Sequence, residues 1–95
     1  MRIIWSSEAR TDLRDMVLYL SDKNPYAAKA LHERIETAAT VLIGNPYIGR
    51  PGRVPGTREL VIANTSYILP YQISQDRIEI LRIYHGARKW SEQFD

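Results

Sequence analysis

From Ser7 to Gly44 apolar residues recur every three or four positions, whereas from Thr57 onward they come in short, dense, branched runs. The first pattern belongs to amphipathic helices and the second to strands. Ahead of both, Arg2 to Trp5 carries Ile3, Ile4 and Trp5 and reads as a short strand. Ser6 or Ser7 then caps a helix with Glu8 in its first turn, where the helix dipole favours an anion. Ala9, Leu13, Met16, Val17 and Leu20 form its apolar stripe, and Asp12, Arg14 and Asp15 fall off that stripe as a solvated face. Asn24-Pro25, a side-chain cap followed by proline at the first helical position, opens a second helix. Its stripe is Ala27, Leu31, Ile35, Ala38 and Leu42, and Gly44 with Pro46 ends it. A short connection through Ser21-Asp22-Lys23 makes the two helices an antiparallel hairpin.

Asn45 to Gly56 holds three of the five prolines and three of the five glycines, so it reads as an irregular loop. Three strands are predicted after it: Thr57 to Ala63, Tyr67 to Ser74 and Arg77 to Tyr84. Asn64-Thr65-Ser66 and Gln75-Asp76 are turns short enough to force an antiparallel meander. Pro70 stands in the middle of the second of these strands and cannot donate to a ladder. It predicts either a nitrogen facing an unpaired side or a local bulge. The expected fold is therefore α+β with the order β-α-α-β-β-β. A helical hairpin covers one face of an antiparallel sheet, and Arg88 to Asp95 form a short C-terminal extension with room for a last helical turn.

Ninety-five residues make one small domain with little margin in its core. The absence of cysteine removes any disulfide or thiolate-metal framework. His32 and His85 are too few and too far apart for a metal site, and His32, beside Leu31 on the second helix, reads as structural. No secretory or membrane-spanning apolar run is present, which leads to an expectation of a cytoplasmic protein without membrane partners. The net charge of +2 is unevenly spread: residues 1–47 balance, while residues 48–95 carry seven Lys/Arg against five Asp/Glu. Arg50, Arg53 and Arg58 bunch in one segment and Arg82, Arg88 and Lys89 in another, a pattern that fits nucleic acid or an acidic protein partner.

The chemistry concentrates between Arg77 and Trp90. A buried strand ends there in Tyr84, His85, Gly86, Arg88, Lys89 and Trp90, so an aromatic, an imidazole and several cations stand at the edge of a rigid sheet. Arg58, Arg82, Tyr84, His85, Arg88 and Trp90 are the candidate target-binding residues, and Arg50 and Arg53 the candidates on the loop. No catalytic constellation is evident. His85 with Arg82 and Arg88 has the makings of an RNA-cleaving set, an acid/base and cations for phosphorane charge, or equally of a patch that only binds. Tyr67 and Tyr71 read mainly as rim packing, with the open sheet face as the alternative.

Taken together, the segments SSEARTDLRDMVLYL, AAKALHERIETAATVLIGNPYIGRPG, VPGTRELVIANTSYILPYQI and IEILRIYHGARKW resemble the RelE/ParE family of bacterial toxins from type II toxin–antitoxin modules. The resemblance runs along nearly the whole chain. It implies growth inhibition, a role in plasmid stabilisation, no cofactor, and a cognate ParD- or RelB-like antitoxin that folds onto the toxin as a hetero-oligomer. Two activities come with the family: poisoning of DNA gyrase on the ParE side, and ribosome-dependent mRNA cleavage on the RelE side. The ribonucleases carry cations at the positions of Glu59, Val61 and Ile68, an arginine at Arg88 and a tyrosine near Phe94; only Arg88 is kept here. VPGTREL and HGARKW look more like the ParE side, which implies a toxin that binds its target rather than cutting it.

Overall fold

The computed structural model describes residues 1–86. The predicted C-terminal turn, with Arg88, Lys89, Trp90 and Phe94, lies outside the described residues. The chain begins with β1 (Arg2–Trp5) and continues into α1 (Ser7–Ser21) and α2 (Pro25–Gly44). Then come β2 (Arg50–Pro51), β3 (Arg58–Val61), β4 (Tyr67–Ser74), β5 (Arg77–Ile80) and β6 (Tyr84–His85). Both helices start where their caps predict. Ser6 Oγ accepts from the Ala9 N–H at 3.0 Å and Asn24 Oδ1 from the Ala27 N–H at 3.1 Å, satisfying donors that the first turn leaves open.

The strands form one sheet in the order β1-β5-β4-β3-β2, with β6 also paired to β4. The meander β3-β4-β5 is antiparallel, as its short turns require. β1 differs: it lies parallel to β5, Ile3 opposite Ile78 and Trp5 opposite Ile80, so the sheet is mixed. A helical hairpin between β1 and the meander supplies the long crossover that a parallel partner needs. The loop after α2 is also more regular than its composition predicts. Arg50 and Pro51 pair with Glu59 and Arg58, and this short strand tolerates proline because, among the described residues, its outer side has no ladder.

Alternation along the strands gives each face its character. Ile3, Trp5, Ile78, Ile80, Leu69, Tyr71, Leu60 and Ile62 face the hairpin and join Ala9, Ile35, Ala39 and Leu42 in the core. Ile35, Leu42, Leu69, Ile78 and Ile80 are fully buried, each stabilising the fold by roughly 1.5–3 kcal/mol. On α2 the buried stripe takes in Ala28 and Ala39, which the sequence reading left out, along with Ile35 and Leu42. The outer face carries Ile4, Glu79, Gln72, Pro70, Glu59, Val61 and Ile68.

Pro70 accounts for the one break in the meander. β4 pairs Tyr71 with Ile80, but resumes with Ile68 opposite Tyr84, so residues 81–83 stand against Leu69 and Pro70 as a bulge of one extra residue. The Leu81 N–H still donates to the Pro70 carbonyl at 2.9 Å; proline has no N–H with which to complete the return bond. The predicted single strand from Arg77 to Tyr84 is thus two, β5 and β6.

Candidate functional site

Around this bulge the last strand is held from the side. The Leu81 carbonyl accepts from Ser6 Oγ at 2.8 Å, so the residue that caps α1 also serves the carbonyl left over by Pro70. Asp12, one turn into α1, accepts from Arg82 Nε at 2.8 Å, from Arg82 Nη2 at 3.1 Å and from the Ile83 N–H at 3.0 Å. The bidentate geometry matches a planar guanidinium to a carboxylate. That hydrogen bonding, with the negative charge behind it, holds the Arg82 pKa above its ordinary value. The Arg82 guanidinium also lies 5.2 Å from the centre of the Tyr84 ring, in cation–π range. Asp12 is therefore no solvated helix residue, contrary to the expectation from its place off the stripe. Its partner sits 70 positions away, beyond the reach of any local pattern.

Past the bulge, consecutive residues point to opposite faces. Tyr84 lies opposite Ile68 on the outer face. His85 lies opposite Tyr67 on the other, and their rings meet edge to face with centroids 5.4 Å apart. The Gly86 N–H donates to the Ser66 carbonyl, and a β-carbon at Gly86 would stand 3.1 Å from that oxygen. Gly86 is thus a tight backbone contact between the strand end and the β3–β4 turn.

The arginines of the loop form a second station. Arg58 lies on the helix-side face beside Tyr71, three positions along β4 from the Ile68–Tyr84 pair. Its Nε donates to the Gly49 carbonyl at 2.9 Å and its Nη2 to the Tyr47 carbonyl at 3.1 Å, with the Tyr47 ring beneath the guanidinium. Arg50 Nε donates to Glu59 Oε1 at 3.0 Å and the Arg53 backbone N–H to Glu59 Oε2 at 2.9 Å. Glu59, where the ribonucleases carry a cation, is a buried carboxylate that closes this loop onto the sheet. Tyr71, wholly buried, completes the attachment. Its hydroxyl donates to the Pro46 carbonyl at 2.7 Å and accepts from the Gly49 N–H at 2.9 Å. Tyr71 belongs to the core, and Tyr67 packs against it.

The predicted site is accordingly divided. Arg82, Tyr84 and His85 stand at the strand end, Arg50, Arg53 and Arg58 at the loop, and Arg88 and Trp90 outside the described residues. Val61 and Ile68 are opposite one another on the outer face, next to the Glu59–Pro70 pair. Elsewhere, Trp5, Leu13, Val17 and Leu18 line an apolar groove on the hairpin, with Arg10, Arg14, His32 and Glu36 around it. His32 Nε2 is 3.5 Å from Glu36 Oε1, one turn along α2. No group of three potential metal ligands occurs among the described residues, and none of their helices is long and apolar enough to cross a membrane.

Comparison with known proteins places this geometry. A protein named toxin Y4kP, from Sinorhizobium fredii, is 42% identical over 91 residues, covering 96% of this chain and 94% of its own length. Toxin RelE2 of Caulobacter vibrioides is 32% identical, over 92% of this chain and 97% of its own. A solved structure described as the chromosomal ParDE toxin–antitoxin system from P. aeruginosa has the same fold. It superposes with a TM-score of 0.81 at 27% identity, across 90% of this chain and 95% of that one. Residues 3–90 match the family described as the ParE toxin of the type II toxin–antitoxin system parDE, and the chain belongs to that family.

Proposed function

We propose that this toxin arrests growth by binding an intracellular target, with DNA gyrase the first to test, and that a cognate ParD- or RelB-like antitoxin neutralises it. The observation that carries binding over cutting is the outer face of β3 and β4. There Glu59, Val61 and Ile68 lie together, a buried carboxylate and two apolar side chains where an RNA-cleaving relative needs cations. A phosphorane bears charge that fixed donors must meet, and losing one such donor commonly costs about 3 kcal/mol of barrier. Arg82 does not replace them, because its guanidinium is already engaged by Asp12.

The contact surface in this reading is the strand end, with Tyr84 and His85, continued in sequence by Arg88 and Trp90. Arg82 and Arg58 shape it, and the loop with Arg50 and Arg53 borders it. The groove of Trp5, Leu13, Val17 and Leu18 between basic and acidic rims suits the apolar face of an antitoxin helix. β1, paired on one side only among the described residues, suits an added strand.

Gyrase supercoiling assays with purified protein test the target. Inhibition at micromolar concentration supports it, and its absence removes gyrase. Cleavage of ribosome-bound mRNA by the wild type, abolished by His85→Ala, would replace binding with a RelE-like ribonuclease. Growth arrest on induced expression, relieved by a small adjacent open reading frame, tests the toxin and antitoxin roles together.

A further inference from the structure

The segment just before Tyr84 is held less by its own sheet than by α1. Between Ile80 and Tyr84 the ladder to β4 slips by one residue, and three groups of this span turn to the β1–α1 junction. The Leu81 carbonyl goes to Ser6 Oγ, while the Arg82 guanidinium and the Ile83 N–H both go to Asp12. Asp12 and Arg82 side chains are only 17% and 21% exposed, so solvent screens the pair weakly. One carboxylate thus collects three donors from two consecutive residues, and the next two residues are Tyr84 and His85. The same guanidinium lies over the Tyr84 ring.

We infer that Asp12 is a positioning residue for target contact: through Arg82 and the Ile83 amide it sets where Tyr84 and His85 stand. Arg82 works inside this clamp rather than as a cation offered to the target. The functional half of the inference rests on the target-binding reading above; the positional half does not.

Two histidines make the positional half measurable. In Asp12→Ala the imidazole resonances of His85 shift, while those of His32, which is paired with Glu36 on α2, keep their wild-type positions. Asp12→Asn, whose amide oxygen still accepts from the Ile83 N–H, shifts His85 less. In function, Asp12→Ala weakens growth arrest about tenfold or more in the inducer needed, the scale of a lost charged hydrogen-bond pair. Binding to the antitoxin, titrated on purified folded protein, stays within about threefold, because the hairpin groove is intact. Arg82→Ala matches Asp12→Ala, and the double variant is no worse than either, as expected of residues acting as one unit.

An unmoved His85 in Asp12→Ala, with wild-type growth arrest intact, overturns the positioning and leaves the toxin reading standing. A shifted His85 with a wild type that arrests nothing keeps the positioning and sinks that reading. Loss of arrest and of antitoxin binding in equal proportion shows stability alone and overturns the functional half. Additive effects in the double variant overturn the clamp.

Discussion

The arginine loop and the end of the last strand are each fastened by a carboxylate, and the two carboxylates work differently. At the loop, the Glu59 side chain is 2% exposed while its partner Arg50 is 51% exposed. At the strand end, Asp12 and Arg82 shield one another about equally. The loop pair joins residues nine apart and the other pair residues 70 apart. Glu59 is therefore a local staple, a buried anion steadied by the Arg53 amide as much as by the exposed arginine. Asp12 is a long-range tie between the first helix and the final strand. Breaking a local staple frees one loop; breaking a tie between chain ends loosens the fold as a unit.

The deepest attachment at the loop is neither carboxylate, and disturbing it sharpens the contrast most. In Gly49→Val a β-carbon would fall 2.6 Å from the Tyr71 hydroxyl and 2.8 Å from the Glu59 carbonyl, so core and loop must both move. The expected loss is about 3 kcal/mol, read from the urea midpoint at constant slope. Asp12→Ala comes next. It leaves the Ile83 N–H and the Arg82 guanidinium without their acceptor and is expected to lower global stability by about 2 kcal/mol. Glu59→Gln is milder, about 1 kcal/mol, since an amide oxygen still accepts one of the two donors. Its mark is faster amide exchange at Gly52 and Arg53 with core amides unchanged. If core amides accelerate as well, Glu59 is no local staple and the comparison collapses.

The clamp's pH dependence follows from the raised Arg82 pKa. A base whose folded pKa is raised contributes stability fully present below its unfolded value and lost only as pH climbs through the folded one. For arginine that window lies at extreme alkalinity. The stability difference between wild type and Arg82→Ala should accordingly be flat from about pH 7 to about pH 10, as thermal melts across that range would show. The smallest effect is expected at His32→Ala, within about 0.5 kcal/mol, because its contact with Glu36 is an exposed helix-surface pair.

What the sequence discloses here depends on how far its causes reach. Ser6, Asn24-Pro25 and the apolar spacing act within a turn or two, so both helices are legible from the chain alone. The meander is legible for the same reason, since Gln75-Asp76 leaves no alternative to a hairpin. β1 has no local instruction about its neighbour, and its parallel place beside β5 emerges only once the hairpin packs. β2, two residues long and containing a proline, carries no strand signature. The role of Asp12 is invisible without Arg82 beside it, and Glu59 reads merely as a missing cation until Arg50 and Arg53 are seen to close on it. Pro70 was the one legible warning of irregularity at the site.

Its effect is larger than a gap in a ladder. Were β4 to offer an amide hydrogen at that point, the pairing of Tyr71 with Ile80 would continue unslipped and set residue 84 opposite Tyr67, on the hairpin side. The slip inverts this parity, placing the phenol on the outer face beside Ile68 and the imidazole on the hairpin side against the edge of Tyr67. The absence of one hydrogen atom on a backbone nitrogen thereby selects the side of the sheet from which each ring is presented, Tyr84 half-buried on one and His85 exposed on the other.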